Sequence, residues 1–123
     1  MSEPTRIALL FRQLVKQPQR PFPEFRGKLD APNQPGVYII RDRKGCVVYV
    51  GRTHSQGGLH QRLRGHLSGR SVFARNLPNG PNSLRTGYCF QCLPVTDHRS
   101  RALLEHVTVG RLCPEHLGLG LRA

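Results

Sequence analysis

The hydrophobic positions near the N-terminus follow the spacing of a helix. Between residues 3 and 16 apolar side chains recur every three or four positions, and Ser2 is placed to cap the first turn, which also contains Pro4. The pattern predicts an amphipathic helix with an apolar face made of Ile7, Leu10, Phe11, Leu14 and Val15.

A proline-rich segment follows this helix. Five prolines lie between Gln17 and Gly36, where they remove amide donors and favour extended backbone in their neighbours. We therefore expect an N-terminal helix and a Pro-rich connector at residues 1–34, and one compact domain at residues 35–123.

Within that domain the apolar spacing alternates between strand and helix. Residues 37–41 and 46–50 are rich in Val, Ile and Tyr and flank a polar turn, which predicts a β-hairpin. Residues 58–68 carry three leucines in one i, i+4 row, which predicts a short helix lying on the sheet. Residues 88–95 predict a third strand, and Asp97 can cap a helix that runs to about Leu112. The order of elements predicts an α+β fold, in which the buried side of the last helix contains Leu103, Leu104, Val107 and Leu112.

The charge of the chain selects a class of partner. Its 123 residues carry 19 Lys plus Arg against 7 Asp plus Glu, a net charge of +12. Such a surface attracts polyanions, so nucleic acid is the expected partner. Ribosomal and histone-like proteins share this charge, which therefore does not name a function. The apolar runs are too short for a secretory signal or a membrane span. We expect a cytoplasmic protein without a membrane partner, with nucleoid association as an alternative, and a monomer rather than a dimer formed through the N-terminal helix.

The four cysteines are expected to be reduced in such a compartment. Cys89 and Cys92 form one half of a zinc-site pattern, but no second pair stands at a usual distance. Small apolar residues on a strand are the favoured interpretation of this pair.

Three features of the domain could carry chemistry. Tyr38 and Tyr49 face each other across the hairpin if its loop is even, and a bulged three-residue loop shifts this pairing by one. Both registers keep the phenols close, either for packing alone or for function. On the following helix, Arg62 and His66 are four residues apart beside the leucine row, where they could grip a phosphate and move a proton, or belong to a solvated basic face.

Glu105 is the third feature. It shares a helical row with Ala102, Val109 and Leu112, where a carboxylate is costly to desolvate unless a cation meets it. That cation could be either a divalent metal ion or a buried arginine.

Together these residues resemble the GIY-YIG nuclease superfamily. The resemblance covers residues 35–117 and consists of Gly36-Val37-Tyr38, then Tyr49-Val50-Gly51, then the segment at 59–67 with Arg62 and His66, then Leu103-Leu104-Glu105. It implies a small three-stranded antiparallel sheet flanked by helices, and a metal-dependent endonuclease that hydrolyses phosphodiester bonds in DNA with one Mg²⁺ or Mn²⁺ ion.

The resemblance also implies a role for each matched residue. Tyr38 and Tyr49 match the motif tyrosines, one of which helps to deprotonate the attacking water. Arg62 matches the arginine that stabilises the transition state, and His66 is a second candidate for moving the proton. Glu105 matches the metal-binding glutamate.

Cations around these positions are expected to bind nucleic acid. Arg52 stands where many relatives have lysine and can supply charge but cannot act as a base. Arg64, Arg70 and Lys44 are the other expected nucleic-acid contacts.

One position departs from the family pattern. Relatives often have an asparagine after a proline, about twelve positions beyond the glutamate, and here Leu117 follows Pro114, with His116 as a neighbouring substitute. The alternative function is therefore a catalytically silent module of the same fold that binds nucleic acid. A ribosome-associated RNA-binding protein is a third interpretation, which rests on charge alone. Selection of the target would depend on the shape of the nucleic acid, on the basic surface, or on a partner protein.

Overall fold

The computed structural model describes residues 1–54, 57–118 and 121–122. Within them the chain forms an α+β fold with four helices and an antiparallel four-stranded sheet. The helices are α1 (Glu3–Val15), α2 (Leu59–Leu67), α3 (Val72–Arg75) and α4 (His98–Leu112), and a 3-10 turn covers Asn82–Arg85. The strands are β1 (Arg20–Pro21), β2 (Gly36–Arg41), β3 (Val47–Arg52), β4 (Pro78–Pro81), β5 (Cys89–Pro94), β6 (His116–Gly118) and β7 (Leu121–Arg122). None of the helices in these ranges has the length and apolar character that a membrane crossing needs.

The main sheet has the strand order β1-β5-β2-β3, so it has four strands rather than the predicted three. The additional strand comes from the connector, where Arg20 pairs with Phe90 and Pro21 with Cys89. A proline is tolerated here because an edge strand does not need every amide donor. The sequence pattern missed this strand because two residues carry no readable alternation.

Helices cover both faces of the sheet. One face packs against α1 and α4 through a cluster of Leu14, Val37, Ile39, Val50, Val95 and Leu104. The opposite face packs against α2, α3 and the 3-10 turn, and its buried side chains include Phe22, Tyr38, Ile40, Leu59, Leu63, Phe73, Leu84 and Phe90. The central strand β2 is therefore buried on both sides, which explains its continuous apolar sequence.

The N-terminal segment contributes to this core. The predicted helix is confirmed as α1, with the Ser2 side chain accepting a hydrogen bond from the Thr5 amide at 3.3 Å. Ile7 and Leu14 of α1 are buried, and Phe22 of the connector joins the second cluster. The division between residues 34 and 35 remains a prediction.

The connector also ends in a backbone cap for α2. The carbonyls of Gln34 and Pro32 accept hydrogen bonds at 2.9 Å from the first two amides of the helix, at Leu59 and His60. These amides have no partner within the helix, and the Gly58 at its start has no side chain to cap them. The connector therefore fixes the position of α2.

The prediction for the buried face of α4 is only partly right. Leu104 is fully buried, but Val107 is exposed, and the other buried positions are Ser100, Arg101 and Thr108. Arg101 is buried because its guanidinium donates to the carbonyls of Thr53, Val95 and Thr96 at 3.1–3.2 Å. A hydrophobicity pattern cannot identify a cation that is buried because backbone carbonyls accept its hydrogen bonds.

The hairpin register differs from both of the registers that the sequence left open. Tyr38 pairs with Gly51, and Tyr49 pairs with Ile40, so the two tyrosines are diagonal neighbours rather than opposite each other. The turn is the three-residue form, with Gly45 at a φ of +87°, and a bulge next to Arg41 shifts the register once more. The ring centroids of Tyr38 and Tyr49 are 6.2 Å apart, which confirms that the phenols lie close together.

Gly51 has no side chain because the Tyr38 phenol occupies that space. A Cβ at Gly51 would overlap Tyr38 Oη and lie 2.6 Å from its Cζ. The packing of Tyr38 therefore requires a glycine at position 51.

Gly51→Ala is expected to destabilise the protein by about 1–3 kcal/mol, because a rigid buried ring and the strand backbone must move apart. The measurement is urea unfolding followed by circular dichroism. Gly110→Ala in α4 is the matched control, since a Cβ there meets no atom within 4 Å and alanine favours helix. Equal stability of the Gly51→Ala and wild-type proteins would contradict this packing argument.

Candidate active site

A buried hydrogen-bonded chain joins the sheet to α2. Tyr38 Oη lies 2.7 Å from His66 Nε2, and His66 Nδ1 lies 2.7 Å from Ser71 Oγ. Tyr38 and His66 are at most 1 % exposed. Arg62 Nε also donates to Tyr38 Oη, at 3.3 Å. Because a guanidinium only donates, we assign the phenol proton to a bond with Nε2, which leaves the imidazole proton on Nδ1 facing Ser71.

Arg62 and Tyr49 lie next to these hydrogen bonds and, with Tyr38 and His66, make four predicted site residues. The Tyr49 ring lies 5.4 Å from the His66 ring, centroid to centroid, and stacks at 4.6 Å on Phe73. Arg62, one turn before His66, reaches the phenols from α2. The structure therefore brings Tyr38, Tyr49, Arg62 and His66 together.

The environment keeps the phenols and the imidazole neutral. Burial lowers the pKa of His66 to about 3, and the positive charge of Arg62 acts in the same direction. Burial raises the pKa of Tyr38 and of Tyr49, although the Arg62 guanidinium opposes this shift. None of the three is charged at neutral pH in the free protein.

Glu105 meets a cation, and that cation is an arginine. Arg52 Nη1 donates to Glu105 Oε1 at 2.5 Å, and the Glu105 side chain is 20 % exposed. The carboxylate raises the pKa of both tyrosines through space, so it lies within electrostatic reach of them. Arg52 Nε is buried without a hydrogen-bond partner among the described atoms. The ion pair thus satisfies one oxygen of Glu105 and leaves part of the guanidinium unsatisfied.

An open cavity of about 210 Å³ adjoins Arg62 and His66. Its walls come from the end of β3, the start of α2 and the segment before α3, and they include Thr53, Gln61, Arg70 and Ser71. Arg70 therefore adds positive charge to the wall of the cavity beside the site.

The other two expected nucleic-acid contacts lie elsewhere. Arg64 is exposed on α2 and lines a separate cavity with Lys28 and Arg85. Lys44 lies in the hairpin turn, seven residues and up to roughly 20 Å from Gly51 along the strand. The structure does not bring Lys44 to the candidate site.

An aromatic row extends from the site toward His116 and Leu117, where the resemblance predicts an asparagine. Phe73 stacks on Tyr49 and meets the buried His116 ring edge-on at 5.4 Å. Leu117 is 48 % exposed. His116 rather than Leu117 therefore connects to the phenols.

Sequence reasoning missed three supporting residues. Ser71 orients His66 through a hydrogen bond, and it caps α3 by accepting a hydrogen bond from the Ala74 amide. Phe73 supports Tyr49 by stacking on its ring. Both lie in residues 71–77, where no clear periodicity is present. Arg101 holds the backbone after β3 by donating to the Thr53 carbonyl.

The described residues contain no group of three or more His, Cys, Asp or Glu side chains placed to hold a metal ion. Cys89 and Cys92 lie three apart on β5, so their side chains point to opposite faces of the sheet. Glu105 still fits a magnesium-type site, because Mg²⁺ is commonly held by one or two carboxylates, with water and substrate phosphate completing its shell.

No model of a known protein family matches this chain, and a search of curated proteins found no similar sequence.

The buried His66 is expected to make stability depend on pH. Its folded pKa of about 3 lies below the ordinary 6.5, so only the unfolded chain gains this proton between those values. Stability is then fully present above pH 6.5 and falls as the pH drops toward 3, by roughly 1.5 kcal/mol between pH 6.5 and pH 5. The measurement is urea unfolding at both pH values for the wild type and for His66→Gln, which should lack this component. The control is His106→Gln on the exposed part of α4. An identical pH dependence for wild type and His66→Gln would contradict the assignment.

Proposed function

We propose that this protein is a GIY-YIG-type endonuclease that hydrolyses phosphodiester bonds in DNA and depends on one divalent cation, Mg²⁺ or Mn²⁺. The observation that carries the proposal is the meeting of Arg62 with two phenols and a neutral imidazole beside an open cavity, with a half-buried carboxylate in electrostatic reach. These five side chains come from β2, β3, α2 and α4. Packing alone does not require a guanidinium, two phenols and an imidazole to meet at one place.

Arg62 is suited to hold the phosphate. Its Nε contact with Tyr38 Oη is long, at 3.3 Å, so a phosphate entering the cavity can take over this donor. A guanidinium grips two phosphate oxygens at once and stabilises the charge that develops as the water oxygen bonds to phosphorus and the P–O3′ bond breaks. Arg70, on the wall of the cavity, adds positive charge for an adjacent phosphate.

Tyr38 and His66 are suited to take the proton from water. When Arg62 turns to the phosphate, Tyr38 Oη loses the donor of its 3.3 Å contact and one of its lone pairs becomes free. The phenol can then accept a proton from water while it passes its own to His66 Nε2, 2.7 Å away. The bound phosphate offsets the positive field of Arg62 that lowers the His66 pKa, so the imidazolium becomes less costly in the complex.

Glu105 is the residue that would hold the cation. When bound, the cation supplies positive charge to a nonbridging phosphate oxygen and to the leaving 3′ oxygen. Arg52 must share or release the carboxylate for this to happen, because its Nη1 occupies Oε1.

This ion pair also supports the second candidate function, a silent module that binds nucleic acid without cutting it. Glu105 already has a counter-ion, and Leu117 stands where relatives have asparagine. Salt-sensitive binding is expected of both candidates, so only cleavage separates them. Tight binding with no cutting of single-stranded or duplex DNA in Mg²⁺ or Mn²⁺ would support the module.

Glu105→Gln is expected to abolish metal-dependent nicking of supercoiled plasmid, with a loss of at least about 100-fold, because the amide keeps an acceptor for Arg52 but loses the charge that holds a divalent cation. The readout is conversion of supercoiled to open circular DNA in Mg²⁺, in Mn²⁺ and in EDTA. Glu3→Gln is the matched control, since Glu3 also pairs with an arginine, Arg99, but at an exposed position on α1. Cleavage that survives Glu105→Gln unchanged would remove the proposed role.

Arg62→Lys is expected to lower the cleavage rate about 100- to 1000-fold while DNA binding falls much less, because lysine keeps the charge but loses the two-pronged donor. Single-turnover rates and binding by fluorescence anisotropy in EDTA measure the two effects separately. Arg12→Lys on α1, across the sheet, controls for the exchange itself. Equal losses in binding and rate would assign Arg62 to simple charge attraction.

A further inference from the structure

A basic cavity that the proposed mechanism does not use lies on the other side of α2. It encloses about 490 Å³ between the connector, α2 and the 3-10 turn. Four cations line it, and no carboxylate is among its described lining residues: the cations are Arg26, Lys28, Arg64 and Arg85. Four like charges around one cavity repel one another, so this arrangement is suited to a polyanion that neutralises them.

An exposed aromatic ring stands beside this cavity. Phe25 is 75 % exposed and is the only aromatic residue among the large apolar side chains exposed in the described part of the chain. The guanidinium carbons of Arg26 and Arg85 lie 5.8 and 5.7 Å from the centroid of its ring. Because the ring is 75 % exposed, it offers aromatic surface for stacking beside two guanidinium groups.

The turn that presents Phe25 is fixed rather than loose. The Gly27 amide donates to the Glu24 carbonyl at 2.8 Å, and Arg85 Nη1 donates to the carbonyls of Pro23 and Glu24 at 3.0 and 3.1 Å. Arg26 has a φ of +70°, a conformation that is unfavourable for a residue with a side chain. Such strain persists only where the surrounding structure holds it, and it is typical of functional positions.

A third cavity connects the basic cavity to the candidate active site. It encloses about 260 Å³, shares Arg64 and His60 with the basic cavity, and shares Gln61 and Arg70 with the cavity beside His66. The path crosses the exposed side of α2. A helix with its side chains is about 10–12 Å wide, which equals roughly three nucleotides of a strand that rises 3.4 Å each.

We propose that Phe25 and the cations of this basic cavity form a subsite for unpaired nucleotides, on the same strand as a phosphate held at Arg62 and about three nucleotides away. Phe25 stacks on an unpaired base, while Lys28 and Arg64 bind the phosphates that lead over α2. Proteins that bind single strands combine an aromatic platform with a basic groove in this way. A base within a duplex has no free face for Phe25, so the subsite favours DNA that is single-stranded at this distance from the reacting phosphate. This inference rests on the proposed function for the position of the reacting strand.

The experiment measures binding in EDTA, where cleavage does not contribute. Fluorescence anisotropy compares the wild type with Phe25→Ala, Phe25→Trp and Lys28→Gln on a short single-stranded DNA and on the blunt duplex of the same sequence. Phe25→Ala is expected to weaken single-strand binding about 5- to 150-fold and duplex binding much less, and Phe25→Trp is expected to restore it. Lys28→Gln is expected to reduce the salt slope on single strands by about one, whereas Arg12→Gln on α1 is the matched charge control for the opposite face of the sheet.

Equal losses on both DNA forms, or no loss with Phe25→Ala, would overturn the subsite. The outcome is separate from the nuclease proposal. If the chain cuts no DNA but Phe25 still controls single-strand binding, the endonuclease fails and the subsite stands; the reverse result leaves cleavage intact and removes the subsite.

Discussion

The hydrogen bond between Tyr38 and His66 is the constraint on which the candidate site depends. It joins the central strand to α2 in the interior, at 2.7 Å, and both partners need it because neither phenol nor imidazole can be buried unsatisfied without a penalty. Gly51 must lack a side chain so that the phenol fits. With His66 fixed, helix geometry places Arg62 one turn away and over the same phenol. This buried contact therefore links the strand, the helix and the guanidinium within the candidate site.

Much of this arrangement could be predicted from the sequence because it rests on local signals. Ser2 and Asp97 cap their helices as expected, and the leucine row of α2 faces the core. The predictions that failed depend on backbone geometry and polar contacts that the hydrophobic pattern does not encode. The shift of the hairpin comes from a bulge that no residue type announces, and Arg101 is buried because carbonyls of other segments surround it.

The sequence predicted either a metal ion or an arginine as the partner of Glu105, and in the structure the partner is Arg52. A cation was required by the cost of desolvating a carboxylate, so the pattern identified the need but not the partner. Arg52 is the last residue of β3, and β3 packs against α4, which carries Glu105. Under the proposed function, this contact would let Arg52 neutralise Glu105 in the free protein and move its charge toward a phosphate when a divalent ion binds the carboxylate.

Hydrogen bonds hold the connector and α2 together. Carbonyls at Pro32 and Gln34 cap the helix, which has no side-chain cap of its own, and Arg85 ties the earlier part of the connector to the 3-10 turn. A nine-residue helix is too short to be stable alone, so these contacts and the buried leucines determine where its remaining faces point. One side of the helix carries Arg62 toward the phenols, and the other carries Arg64 toward Lys28 and Arg85. The connector, whose sequence predicts only extended backbone, therefore fixes the directions in which the two basic sides of α2 point.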